Sequence, residues 1–209
     1  MDAAFFDRWS LEYDEDVIAC DEANLYPFAG YRRTLETLLN EIKTKPGARV
    51  LDLGFGTARL TQKLYEIGCN ISGLDFSPEM CRIAQEKMPK ARLLCFDFAE
   101  GFPEVFKYLR FDVIVSSYAF HHVPDALKPV RIVEWYKALN PGGMILIGDV
   151  AFLDEQDLAL SRQNAGDEWD DDEDYMVFSS LQPAIAHLLP KFEQISHCAG
   201  ILTIHKGYG

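Results

Sequence analysis

At 209 residues, 48% of them apolar and 12% aromatic, the chain can bury a full core, which predicts one domain over residues 1–209 and argues against a disordered or purely structural polymer. A formal net charge of −13 repels a phosphate backbone. Arg32-Arg33 is the only adjacent basic pair, so neither nucleic acid nor an anionic membrane is an expected partner.

The opening MDAAFFDRWSLEYDED carries acids where a signal peptide needs basic and then apolar residues, and no apolar run of about 18 residues follows. Five cysteines, Cys20, Cys69, Cys81, Cys95 and Cys198, stand singly without CxxC spacing. That pattern fits reduced thiols better than zinc or disulfides, and a soluble cytoplasmic protein is expected. Phe6, Trp9 and Tyr13 fall at i, i+3 and i+7, one face of a helix within residues 1–28. Gly30 to Lys43 repeats the helical spacing with Leu35, Leu38, Leu39 and Ile42, and Pro46-Gly47 closes it.

From there strands and helices alternate. Ala48 to Leu53, Asn70 to Leu74, Arg92 to Phe96, Phe111 to Ser116 and Met144 to Val150 are short, nearly uniformly apolar runs. Helices are predicted from Thr57 to Ile67, from the Ser77-Pro78 cap through Met88, and up to Leu139, where Asn140-Pro141-Gly142-Gly143 reads as a turn. Such an order describes a doubly wound α/β fold with a parallel sheet covered on both faces. The last third departs from it. Residues 151–190 read as an inserted cap: a helix from Glu155 to Asn164, seven acids in the eight positions Asp167 to Asp174, and a helix from Phe178 to Leu189. Two final strand-like runs, Phe192 to Cys198 and Gly200 to His205, lie too close together for a parallel crossover and predict an antiparallel hairpin at one edge.

In an open parallel sheet, ligands sit at the carboxyl ends of the strands. The loop VLDLGFGTARL, Val50 to Leu60, has Gly54-Phe55-Gly56 but Arg59 where a dinucleotide loop wants a third glycine. Asp52 precedes the glycines, where a carboxylate would oppose a pyrophosphate but would suit a ligand with a cationic amine. S-adenosylmethionine is such a ligand. Asp75, 21 residues after Gly54, has the spacing of a ribose-binding acid, and Asp97-Phe98 ends the third strand where a carboxylate and a ring can meet adenine.

Taken together, VLDLGFGTARLT, GLDFSPEMCRIA, FDVIVSSYAFHHV and LNPGGMILIGD resemble the class I S-adenosylmethionine-dependent methyltransferases over nearly the whole chain. FFDRWSLEYDEDV, SSYAFHH and the tail look most like the YrrT-type bacterial members. The resemblance implies a Rossmann-like seven-stranded sheet, mostly parallel with an antiparallel C-terminal edge hairpin, and S-adenosylmethionine as cofactor with S-adenosylhomocysteine as product. It implies that Asp52, Gly54, Gly56 and Thr57 border the methionine moiety, Asp75 and Phe76 the ribose and adenine edge, and Asp97 and Phe98 the adenine. Ser117 would offer main chain near the amine, and Tyr13 would close over the cofactor from a lid helix. For the glycines a plain strand-to-helix turn, and for Asp75 a helix-capping acid, are the competing structural roles.

His121 and His122 are the candidates for a general base, set against a packing role in the loop; neither has a carboxylate nearby in sequence that would make a metal motif, and no metal is expected. Trp9, Tyr118, His122 and Tyr175 are the candidate pocket wall for the acceptor. The acidic run reads first as a solvated face, with recognition of a cationic substrate or gating of the pocket as alternatives. Transfer by in-line displacement to a small-molecule acceptor is the expected function. A cofactor-binding regulatory protein without turnover and, further off, a nicotinamide-dependent oxidoreductase are the alternatives, and either a monomer or a homodimer is compatible with the sequence.

Overall fold

The computed structural model describes residues 13–208, with side chains from Asp16 onward. Phe6 and Trp9 lie outside the described residues. Tyr13 opens helix α1 (Tyr13–Glu22), but its side chain is outside them too.

Helix α2 (Tyr31–Ile42) buries Leu35, Leu38 and Ile42 on one face and leads into β1 (Arg49–Leu53), α3 (Arg59–Glu66) and β2 (Asn70–Asp75). Helix α4 (Pro78–Lys87) begins as its cap predicts: Ser77 Oγ accepts from the Met80 N–H at 3.2 Å. Then follow β3 (Arg92–Cys95), β4 (Phe111–Ser117), α5 (Lys128–Ala138) and β5 (Leu139–Phe152). Residues 153–190 supply α6 (Glu155–Ala165), a two-residue β6 (Met176–Val177) and α7 (Phe178–Ile185), before β7 (Lys191–Gln194) and β8 (Ala199–His205).

The main sheet has the order β3-β2-β1-β4-β5-β8-β7, parallel except where β8 pairs antiparallel with β5 and β7. This is the expected seven-strand path with its reversed edge; β6 adds a short parallel pairing beside the end of β5, Ala151 with Met176. Period-two alternation explains why the strands are almost wholly apolar. Val50, Val113, Val115 and Leu146 enter one core beneath α2 and α3, while Leu51, Ile114, Ile145 and Ile147 enter a second beneath α5 and α7.

The predicted turn at Asn140 to Gly143 lies within β5. The strand starts at Leu139, opposite Phe111, and a register shift between Phe111 and Val113 absorbs the irregular segment. Gly142 takes φ +73° there, and Asn140 donates to Asp112 Oδ1 at 2.8 Å, so the turn residues act as a local bulge within the pairing. No helix among the described residues is long and apolar enough to cross a membrane.

Candidate active site

Strand order reverses between β1 and β4, and the loops after these two strands meet at that point. Gly54, at φ +77°, makes the meeting possible: a Cβ on it would lie 2.2 Å from Ala119 Cβ. Its N–H donates to Leu74 O at 2.8 Å, tying the loop to β2. Gly56, at φ +51°, would place a Cβ with nothing within 4 Å, so it borders open space. The Gly56 N–H donates to Asp75 Oδ2 at 2.8 Å, and Asp75 Oδ1 accepts from the Ser77 N–H at 3.0 Å. Asp75 therefore sets the glycine loop and the start of α4 at once.

Among the expected cofactor residues, Gly54, Gly56, Thr57, Asp75, Phe76, Phe98 and Ser117 line one cleft together. Asp97 is exposed and lies at the neighbouring cleft; its carboxylate caps the short turn Phe98–Glu100 by accepting from the Ala99 N–H at 2.8 Å. Asp52 is placed differently. It is fully buried at the end of β1, behind the loop, with one oxygen accepting from Thr61 Oγ1 and Oδ1 left without a partner among the described residues. Burial pushes its carboxyl up to about 7, with the Thr61 hydrogen bond opposing and the charge of Asp75 adding to the rise. Tyr31 and Met80 also line the cleft. Neither shows a polar or spacing signal in sequence that separates it from an ordinary core residue.

Tyr118, at φ +50°, turns its ring into the cofactor cleft against Tyr31, centroids 4.8 Å apart. Its hydroxyl donates to Thr34 Oγ1 at 3.5 Å, and burial holds its pKa well above that of a free phenol. Tyr175 lines neither cleft; it is buried in an aromatic group with Tyr26 and Trp169, bonded through its hydroxyl to that of Tyr26.

The two histidines turn out to have carboxylate partners far away in sequence. His121 Nδ1 lies 2.5 Å from Asp149 Oδ1, and Asp149 also accepts from the Phe120 and Val150 N–H groups at 2.6 and 2.7 Å. Burial opposes charge on both groups, but each outweighs that penalty for the other: the imidazole pKa is raised and the carboxyl pKa lowered. His122 Nδ1 lies 2.9 Å from Glu173 Oε2. Glu173 belongs to the acidic run, and its side chain is only 8% exposed. Burial disfavours its charge, yet the His122 hydrogen bond brings its pKa below the usual value.

The run is therefore pinned at its C-terminal end, where the Asp174 N–H donates to His121 O at 3.2 Å and Lys128 Nζ donates to Asp174 O at 2.5 Å; Asp171, paired with Arg162, and Asp172 are exposed. Asp149 was findable. It stands in β5 beside the end of β4, one residue past the Ser117–Gly148 pair, the same strand-end position that singles out Asp75 and Asp97. Glu173 was not, because 51 residues separate it from His122.

An open α/β sheet with a glycine loop and a strand-end acid at its switch point defines a nucleotide-type ligand site. Residues 50–143 match the family model described as a methyltransferase domain. A protein of Geobacillus kaustophilus named as an uncharacterized methyltransferase is 39% identical over 152 residues, covering 72% of this chain and 67% of the relative. The structure of a DhpI–SAH complex superposes with a TM-score of 0.69 at 19% identity, covering 98% of this chain and 95% of that one. A Haloferax volcanii putative methyltransferase, in complex with the Trm112 methyltransferase activator, also gives 0.69, at 17% identity and 97% coverage of both chains. Those two likenesses bear on the fold. The chain belongs to the class I S-adenosylmethionine-dependent methyltransferases, and S-adenosylmethionine is its cofactor.

Proposed function

We propose that this methyltransferase acts in the cytoplasm on a small-molecule acceptor, by in-line displacement, with the acceptor seated in the cleft formed by Phe76, Asp97, Phe98, His121, His122 and Glu173. The observation that carries this reading is the shared wall: Phe76, Phe98 and His122 line both this cleft and the cofactor cleft. Two pockets that share these side chains support a donor in one and an acceptor in the other. The five cysteines are free thiols, which suits a reducing compartment.

The residues fit the cofactor. The open side of Gly56 leaves room against the loop, the carboxylate of Asp75 in the cleft wall suits ribose hydroxyls, and Phe76 and Phe98 offer rings to adenine, with Asp97 at its edge. Ser117 offers main chain and Thr57 its hydroxyl toward the methionine end. Asp52 acts from beneath the loop: a cationic amine nearby favours the ionised carboxylate over the protonated form that burial favours. When bound, S-adenosylmethionine supplies a methyl group already activated on a sulfonium. The chain then needs to align the acceptor and exclude water. Residues 151–190 close one side of the acceptor cleft through Glu173.

Calorimetric titration with S-adenosylmethionine and S-adenosylhomocysteine tests the cofactor half of the site; no heat with either would overturn it. A methyl-release assay run separately on a metabolite pool and on total RNA tests the acceptor class. Transfer confined to the RNA arm would overturn the small-molecule reading.

A further inference from the structure

Two histidines and a glutamate that cofactor binding does not require converge in the wall of the acceptor cleft. One ligand-capable atom from each of His121, His122 and Glu173 lies within 4.8 Å of the other two. Donor atoms bound to one metal ion at about 2.0–2.1 Å, with angles of roughly 90–109°, sit about 2.9–3.4 Å apart. The 2.9 Å between His122 Nδ1 and Glu173 Oε2 is already at that spacing, and a donor atom of His121 lies within 4.8 Å of both.

His121 is also supported as metal ligands are. The carboxylate behind its Nδ1, that of Asp149, is 1% exposed and held by backbone N–H groups. Such a partner fixes the tautomer and leaves Nε2 as the coordinating nitrogen.

We propose that His121, His122 and Glu173 form a binding site for one divalent transition-metal ion of the zinc class, open toward the acceptor cleft. Two imidazoles and one carboxylate favour such an ion over Mg2+ or Ca2+, which take oxygen donors. Three protein ligands leave a coordination position free for an oxygen or nitrogen of the acceptor. That last role rests on the function proposed above; the binding itself does not.

The test is calorimetric titration of tag-free, chelator-treated full-length protein with Zn2+, and with Mg2+ in parallel, followed by Co2+ substitution and visible absorption. The expected result is one Zn2+ per chain, a Co2+ spectrum of low-coordinate nitrogen and oxygen ligation, and at least tenfold weaker binding in Glu173→Gln and in His122→Asn, with Asp172→Asn unchanged. No stoichiometric Zn2+ binding overturns the proposal. So does Mg2+ binding of equal strength, or an equal loss in Asp172→Asn, either of which marks a diffuse acidic patch. Titrating S-adenosylmethionine into the same metal-free protein keeps the two readings separate: cofactor binding without Zn2+ binding would remove the metal site and leave the methyltransferase site standing.

Discussion

At the scale of single residues, the cofactor loop rests on two positions that do different work. Gly54 combines φ +77° with an approach of 2.2 Å to Ala119 Cβ. A side chain there meets a left-handed penalty of about 1–2 kcal/mol and an overlap that costs roughly 1–3 kcal/mol more. Gly54→Ala should therefore lower stability by roughly 2–5 kcal/mol in denaturant melts and abolish measurable cofactor binding; a variant that binds normally would show that the two loops can separate without harm. Asp52 acts through its charge. Burial raises its carboxyl from 3.8 to about 7, so between those values the folded protein keeps a proton that the unfolded chain has lost, and stability falls as pH rises across the window. A full shift of that size corresponds to about 4 kcal/mol. Asp52→Asn removes the titration and keeps an oxygen to accept from Thr61. In the cofactor-free protein the melting temperature of the variant relative to the native chain should climb by several degrees from about pH 4 to pH 7, and a constant gap would mean that Asp52 stays ionised.

Among the elements, the segment between β5 and β7 is held by aromatic contacts. Trp169 stacks on Tyr26 at 4.9 Å, meets Tyr175 edge-on at 4.9 Å, and reaches Phe152 at 6.2 Å, while the Asp170 N–H donates to the Tyr26 hydroxyl at 3.2 Å. These contacts carry Glu173 to His122. Trp169→Ala should cost roughly 2–4 kcal/mol and speed proteolytic cutting between residues 166 and 174 several-fold; unchanged cutting would place the anchor elsewhere, at Lys128 and Asp174. This is also where the sequence stops being readable. The strands β1, β2, β4 and β5 stand out because burial on both faces demands uninterrupted apolar runs, and Ser77, Asp75 and the glycines stand out because each is a residue type with a defined local task. β6 is two residues long and carries no periodicity, and the pairings of Asp149 and Glu173 with the histidines join positions 28 and 51 residues apart. Local pattern holds no record of such contacts. They exist only once the sheet order is set.

For the whole molecule, the site is a property of the sheet's switch point, and Asp75 links its parts. It ends β2, holds the Gly56 amide of the loop after β1, holds the Ser77 amide at the head of α4, and lines the cleft. Ligand binding at such a junction should register as global stability, because a ligand that binds only the folded chain adds RT ln(1 + [L]/Kd), about 2.7 kcal/mol at a hundredfold excess over Kd. For a chain of this size that amounts to a rise in melting temperature of roughly 5–10 °C. The native protein should show such a rise with S-adenosylmethionine and with S-adenosylhomocysteine, and little with NADH, whose pyrophosphate the buried Asp52 opposes. Asp75→Ala should melt cooperatively without ligand, since the sheet's two cores do not depend on this side chain, and should lose the ligand-induced rise. A rise retained in Asp75→Ala would move the ribose contact to another residue of the cleft, whereas a rise with NADH alone would overturn the assignment of the loop itself.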